Sequence, residues 1–181
     1  MSRRKLATDE LQRKTVTGYK QADKMPVIII LDNVRSLNNI GSVFRTADAF
    51  LVESIYLCGF TATPPHKDIH KTALGATESV DWKHFPTTLE AIGEVKDKNY
   101  RIISLEQTTA SISLVSFSPE RNTGYAMVFG NEVKGVIQEI IDISDECVEI
   151  PQFGTKHSFN LAVSAGIVLW DFYNKILHTR E

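Results

Sequence analysis

Short runs of hydrophobic residues recur along this chain, and segments with helical spacing separate most of them. The clearest run, residues 27–31 (VIIIL), is continuous and β-branched, and Pro26 and Asp32 bound it. Such a run is typical of a parallel strand that is buried on both faces. Because helical segments alternate with the runs, the sequence predicts an α/β fold with a mostly parallel sheet flanked by helices. The other predicted strands are residues 54–58, 100–105, 125–129 and 147–150.

Three shorter helices are predicted between these strands, at residues 40–50, 89–98 and 136–141. The first follows two asparagines that are suitable N-caps, Asn38 and Asn39. Arg45 is turned about 140° away from the apolar residue Ile40, at ~100° per residue, so it should point away from the core. Asn39 and Arg45 are separated by about 9 Å of helix rise, and both could contact one phosphodiester or ribose. The alternative from the residues alone is a capping asparagine and a surface pair between Arg45 and Asp48.

The last predicted helix, residues 159–177, is apolar on nearly all sides. One set of residues includes Phe159, Val163 and Trp170, and another includes Leu169 and Phe172. A helix of this kind is usually buried on more than one face. We therefore expect a second subunit to cover one face and predict a homodimer through this helix; the alternative is an ordinary core helix in a monomer.

Composition narrows the possible classes of protein. The 181 residues, of which 43% are hydrophobic and 23% charged, fit one domain with a full core. We expect a cytoplasmic protein with no membrane contact, because neither a membrane span nor a signal-peptide core stands out. Dinucleotide, phosphate-loop and serine-elbow motifs are absent, and no histidine or cysteine spacing suggests a metal site, so we expect no metal. His66 and His70 are interpreted as surface residues.

The positive charge of the chain is concentrated at its start. Residues 1–24 hold seven basic and three acidic residues, while the chain as a whole has a net charge of -2. We interpret residues 1–24 as a basic arm or helix and residues 25–181 as a single domain. Such an arm is suited to contact a polyanion, although a solvated arm without a partner is an equal alternative.

Three polar motifs follow predicted strands. They are NNIGSVFRTADAF at residues 38–50, VFGNEVKG at 128–135 and IPQFGTKHSFNLAVSAG at 150–166. In the second, Gly130 allows a close backbone approach or a positive φ. In the third, Ser158 and Asn160 lie beside an apolar slot, and Ser158 could also be a helix cap. Each motif alone is also consistent with an ordinary turn or helix start.

Together, in this order and placement, the motifs resemble motifs 1, 2 and 3 of the SPOUT class of RNA methyltransferases, in its SpoU–TrmH branch. The resemblance covers most of residues 26–175. It implies an α/β fold with a C-terminal trefoil knot, a homodimer and S-adenosylmethionine as cofactor. The implied reaction is methyl transfer to a ribose 2′-hydroxyl in tRNA or rRNA. The knot is implied by the resemblance alone.

The resemblance also implies roles for individual residues. Arg45 is the expected main catalytic residue, with Asn39 beside it and Ser158 and Asn160 as further catalytic or substrate-handling groups. Since the pKa of an arginine is above ~12, we expect Arg45 to orient the hydroxyl and the adjacent phosphate and to stabilise developing charge. Whether Arg45 also takes the proton stays open at this point. The residues expected to hold the cofactor are Leu105, Gly130, Asn131, Glu132, Ile150, Pro151, Phe159 and Asn160.

Two other interpretations remain open at this point. One is an RNA-binding protein of the same fold without catalysis, and the other is an unrelated α/β nucleotide-binding enzyme. The sequence names neither the RNA nor the methylated nucleotide. RNA contacts are expected from the basic arm, from a dimer surface or from residues 63–75, which carry Lys67 and Lys71.

Overall fold

The computed structural model describes residues 3–178, without the side chains of Thr8, Leu177 and His178. The first two residues of the predicted arm and the last three of the predicted domain therefore lie outside the described residues. Seven strands form one sheet in the order β3-β2-β1-β6-β4-β7-β5, and every pairing within it is parallel. The strands are β1 (Met25–Asp32), β2 (Val52–Cys58), β3 (Asp81–Phe85), β4 (Arg101–Leu105), β5 (Ile112–Ser113), β6 (Tyr125–Phe129) and β7 (Glu146–Glu149).

Helices cover both faces of the sheet, which confirms the predicted fold class. The strand β1 is central, and its side chains alternate between two cores: Ile29 and Leu31 belong to one, and Ile28 and Ile30 to the other. A strand buried on both faces reads as a continuous apolar run, and for this reason β1 was the clearest element in the sequence. The helices are α1 (Val16–Gln21), α2 (Leu37–Ala49), α3 (Lys67–Ala73), α4 (Ala76–Ser79), α5 (Thr88–Asp97), α6 (Gln138–Ile143) and α7 (Leu161–His178).

The helix α2 packs closely against α3, and a glycine makes this approach possible. A Cβ atom on Gly41 would lie 2.1 Å from Thr72 Oγ1 and 2.3 Å from the backbone oxygen of Ile69. The cap of α2 is Ser36, whose side chain accepts a hydrogen bond from the backbone N–H of Asn39. The expectation that an asparagine caps this helix was therefore wrong, because the helix begins earlier and Asn38 and Asn39 lie in its first turn.

The basic N-terminal segment combines exposed and anchored parts. It contains a 3-10 helix at Thr8–Leu11 and the helix α1. Tyr19 in α1 is only 4% exposed, and its hydroxyl donates to the backbone oxygen of Val52. Arg4 forms an exposed ion pair with Glu10. Hence α1 is fixed to the body, whereas the described residues before it are exposed to solvent wherever their burial is described.

The last helix, α7, packs one side onto the sheet and α2. Leu161, Ala165, Val168, Leu169 and Phe172 are buried, whereas Val163 and Trp170 are 50% and 57% exposed. None of the helices within residues 3–178 combines the length and hydrophobicity that crossing a lipid bilayer requires. The trefoil knot remains an expectation from the family.

Candidate functional site

A cavity of about 740 Å³ opens where the carboxyl ends of three neighbouring strands meet. These strands are β6, β4 and β7, which lie side by side in the sheet. The loops after them and the start of α7 line the cavity, within residues 105–107, 129–136, 148–152 and 157–164, together with Ile141 of α6. Open parallel sheets characteristically bind ligands outside the carboxyl ends of their strands, and the volume is within the ~300–1,000 Å³ of small-molecule sites.

A chain of hydrogen bonds joins the three sequence motifs at this cavity. The side-chain amide of Asn160 donates to Asn39 Oδ1 over 3.0 Å, and the amide of Asn39 donates to Glu132 Oε1 over 3.1 Å. Asn160 and Glu132 line the cavity, and Asn39, in the first turn of α2, connects them. Asn160 also accepts hydrogen bonds from the backbone N–H groups of Ala162 and Val163, so it caps α7. The alternative role of Ser158 as the cap is thus wrong.

Glu132 anchors the N-terminus of α2 to the second motif. Its carboxylate accepts hydrogen bonds from the backbone N–H groups of Arg35 and Ser36, both over 3.0 Å, in addition to that from Asn39. Partial burial acts to raise the pKa of Glu132, but these hydrogen bonds outweigh it and the pKa is lowered from its ordinary value of 4.5. A carboxylate at this position also interacts favourably with the dipole of α2.

We predict that Glu132→Gln destabilises the fold by about 1 kcal/mol at neutral pH, because an amide cannot accept all three hydrogen bonds. Glu132 is exposed, so the free energy lost is at the low end of the range for hydrogen bonds to a charged group. Since the folded-state pKa is lowered, the stabilisation is present above the ordinary value of 4.5 and is lost as the pH falls through the lower folded value. Denaturant unfolding of both proteins at a series of pH values measures this difference.

The gap between wild type and Glu132→Gln should be constant from neutral pH down to about pH 5 and should shrink below that. Glu139→Gln, a change at an exposed residue of α6, serves as the control. A gap that widens in acid would show that the Glu132 carboxylate does not contribute to stability in this way.

The loop of the second motif folds back on itself. Asn131 and Gly135 pair through their backbones, and the Asn131 side chain donates to the backbone oxygen of Asn33 over 2.7 Å. A Cβ atom on Gly130 would lie 2.1 Å from the backbone of Gly135, so Gly130 is required by close packing inside the loop. The positive φ belongs to Gly135 instead, at 66°.

Glu106 is a site residue that the sequence reasoning missed. It follows β4 directly, and its carboxylate accepts from the backbone N–H groups of Val136 and Gln107, each over 2.9 Å. Glu106 therefore connects the loops after β4 and β6 along the cavity wall. The sequence feature that could have identified Glu106 is its position immediately after a predicted buried strand. The other motifs were identified by the same placement.

The structure brings most of the predicted cofactor residues together. Pro151 is the exception among the predicted cofactor residues, since it does not line the cavity. Of the predicted catalytic residues, Ser158 and Asn160 line it and Asn39 contacts Asn160. The predicted cofactor residues that do line it are Leu105, Gly130, Asn131, Glu132, Ile150, Phe159 and Asn160.

Arg45 lies apart from the cavity lining. It is exposed on α2, on the side away from the buried residues Ile40, Phe44 and Ala47, as its helical position predicted. The alternative surface pair with Asp48 does not form; the Asp48 carboxylate accepts from Ser79 instead. Within the described part of the chain, Arg45 makes no hydrogen bond or ion pair, so its guanidinium is available to a ligand.

No group of three or more metal-binding side chains occurs among residues 3–178. His66 caps α3 through its ring and His70 is exposed on the same helix, which agrees with their interpretation as surface residues. Cys58 is buried, whereas Cys147 is half-buried.

The cavity suits a ligand with both apolar and polar parts, such as an adenosine derivative. Leu105, Ile150 and Phe159 offer apolar surface, and the polar residues Lys134 and Ser158 line the same space. This mixed lining is consistent with the expected cofactor, S-adenosylmethionine.

Comparison with known proteins identifies the family. Residues 26–170 match the model of the SpoU rRNA Methylase family. The chain belongs to this family. It is 31% identical over 144 residues to the 23S rRNA (guanosine-2′-O-)-methyltransferase RlmB of Neisseria meningitidis, covering 80% of this chain and 56% of that protein. It is 26% identical over 156 residues to a TrmH family tRNA/rRNA methyltransferase of Staphylococcus aureus, covering 86% of this chain.

The chain spans 62% of the length of that TrmH family relative. Among solved structures, the AdoMet-bound rRNA methyltransferase of Sinorhizobium meliloti superposes with a TM-score of 0.77 at 24% identity, covering 90% of this chain and 61% of that one. The similarity confirms the fold expected of a SpoU family member.

Proposed function

We propose that this SpoU family member is an S-adenosylmethionine-dependent RNA methyltransferase that methylates a ribose 2′-hydroxyl in tRNA or rRNA. The observation that carries the proposal is the hydrogen-bonded chain Asn160–Asn39–Glu132, which unites the three motifs at the mouth of a cavity of suitable size. The relatives support it, since one is named for tRNA and rRNA methylation and another for 2′-O-methylation of guanosine in 23S rRNA. A related fold has been solved with AdoMet bound.

When bound, S-adenosylmethionine supplies a methyl group activated by the sulfonium. The chain's own residues must bind the RNA, orient the ribose and favour loss of the hydroxyl proton, since a hydroxyl is a poor nucleophile. Asn39 and Asn160 are fixed by their mutual hydrogen bond and by Glu132, so they are preorganised to position a polar group. The exposed, planar guanidinium of Arg45 is suited to hold the adjacent phosphate and stabilise charge that develops on the hydroxyl oxygen.

The direct test is methyl transfer from labelled S-adenosylmethionine to cellular tRNA and rRNA, followed by nuclease digestion to find ribose-methylated nucleotides. Calorimetry with S-adenosylmethionine is the companion measurement. Binding of the methyl donor together with methylated ribose supports the proposal. Donor and RNA binding without transfer would favour the catalytically inactive alternative, and no donor binding would contradict the proposed cofactor.

We also propose that the protein forms a homodimer through α7. Val163, Trp170 and Tyr173 are 50%, 57% and 37% exposed, and they recur at helical spacing along one side of the helix. Monomeric proteins rarely leave such an apolar stripe in water. The same side of α7 in a second copy of the protein could bury this stripe in a two-fold symmetric interface.

We assign residues 1–24 to RNA contact and residues 25–181 to the methyltransferase domain. The exposed residues before α1 and their positive charge support the first assignment. An enzyme that modifies tRNA or rRNA works where these RNAs are assembled and used, so we place its activity in the cytoplasm.

We predict that changing Arg3, Arg4 and Lys5 to glutamine weakens RNA binding. Each lost phosphate contact reduces the slope of log affinity against log salt by roughly 0.7 on a single strand and 0.9 on a duplex, so the triple variant should flatten the slope by about two to three units. S-adenosylmethionine affinity should not change, because none of the three residues lines the cavity. A variant with the RNA affinity and salt slope of wild type would move the RNA-binding surface to residues 63–75 and the dimer groove.

A further inference from the structure

An exposed aromatic side chain follows β2 at the same edge of the sheet as the cavity. Phe60 is 59% exposed, yet the backbone around it is firmly held. Its N–H donates to Asn33 Oδ1 over 3.2 Å, and the next residue, Thr61, is 2% exposed. The Thr61 hydroxyl donates to the backbone oxygen of Leu31 and accepts from the N–H of Val34. The ring is thus displayed to solvent from a rigid turn.

An arginine lies over this ring and connects it to the cavity rim. The guanidinium carbon of Arg35 is 5.8 Å from the centroid of the Phe60 ring, within the range of a cation–π interaction. The backbone N–H of Arg35 donates to the carboxylate of Glu132, which lines the cavity. Val133, 78% exposed, and Lys134 continue the rim from there. An aromatic and basic surface therefore borders the cavity.

The basic side chains at this surface are those of Arg35 and Lys134. Residues 33–36 and 59–66, the loops that form it, contain no aspartate or glutamate. Two carboxylates border these loops. Asp32 is only 2% exposed and accepts from Thr88 and Asn33. Glu132 keeps its negative charge but directs it at the backbone N–H groups at the start of α2, whereas the side chain of Arg35 is exposed beside the ring. A flat apolar ring with an adjacent guanidinium matches a nucleobase and its phosphate.

We propose that Phe60 stacks on the base of the nucleotide next to the methylated one. In this arrangement Arg35 contacts the phosphate of the stacked nucleotide. This inference rests on the proposed function. It specifies the substrate class as RNA in which the target lies in an unpaired segment, because a base inside a duplex does not present its face to a side chain. Stacking of one base on an aromatic ring is worth enough to change affinity about fivefold or more.

The experiment compares a fluorescent hairpin RNA that has an unpaired loop with a blunt duplex of the same stem. We expect Phe60→Ala to weaken hairpin binding at least about fivefold with an unchanged salt slope, and Phe60→Trp to restore it. Arg35→Gln should weaken binding and flatten the salt slope by roughly 0.7, as expected for one phosphate contact on a single strand. Leu89→Ala, at a 41% exposed apolar residue of α5, is the matched control and should behave as wild type.

The outcomes separate this inference from the proposed function. Wild-type protein that binds neither RNA would contradict the proposed function and the inference together. Wild-type protein that binds the hairpin while Phe60→Ala matches Leu89→Ala would overturn the inference alone. The same holds if Phe60→Ala changes the sedimentation of the protein without weakening hairpin binding, because Phe60 would then belong to a subunit contact.

Discussion

Replacing Arg45 with alanine should abolish methyl transfer to RNA, with a loss of at least about tenfold, or ~1.4 kcal/mol of barrier. The physical reason is that Arg45 is exposed on the outer side of α2, where it makes no hydrogen bond or ion pair with another described residue. A charged side chain without such contacts is free to act on substrate. Steady-state transfer of labelled methyl groups to RNA measures the effect.

Stability and donor binding should be unchanged in this variant, which separates catalysis from folding. Arg45 does not line the cavity, so calorimetry should give the wild-type affinity for S-adenosylmethionine. Arg45→Lys should recover only part of the rate, since lysine keeps the charge but not the planar fork that holds a phosphate with two hydrogen bonds. Lys96→Ala, at an exposed cation of α5, is the control. An Arg45→Ala enzyme that retains more than about a tenth of the wild-type rate would remove Arg45 from the central role.

The elements that could be predicted from the sequence are those whose signal is local. The strand β1 is apolar throughout because both of its faces are buried, and α2 shows its apolar face at helical spacing. The strand β3 was missed because it lies at the edge of the sheet and pairs with only one neighbouring strand. Its residues, DWKHF, are mostly exposed and polar, so they do not form an apolar run. The two-residue strand β5 is too short to give any periodic signal.

The candidate site could be predicted in its parts but not in its connections. Sequence motifs identified Asn39, Glu132 and Asn160 separately. The contacts that join them span 93 residues between Asn39 and Glu132, and 121 between Asn39 and Asn160. Contacts at such separations depend on the order of the strands in the sheet, which local patterns do not specify. Glu106 was missed for a related reason, because its role appears only when the loop after β6 folds back beside it.

Changing Trp170 to glutamate should convert the proposed dimer into monomers at micromolar concentration. Trp170 is 57% exposed on α7, and its ring lies 6.2 Å from that of Phe50 and 6.3 Å from that of Tyr173. Large aromatic residues at the centre of an interface are typical binding hot spots, so a buried charge there should cost about 2 kcal/mol or more. This corresponds to a dissociation constant raised roughly thirtyfold. Sedimentation velocity over a range of protein concentrations measures the shift.

The choice of position decides whether this experiment tests the interface or the fold. Phe172, on the opposite side of α7, is 0% exposed and packs against Phe117 and Tyr125, so a glutamate there would disrupt the core. Leu89→Glu places the same charge at a 41% exposed residue of α5, away from α7, and should leave the oligomeric state unchanged. A wild-type protein that is monomeric, or a dimer that Trp170→Glu leaves intact, would show that the apolar side of α7 is not the contact between subunits.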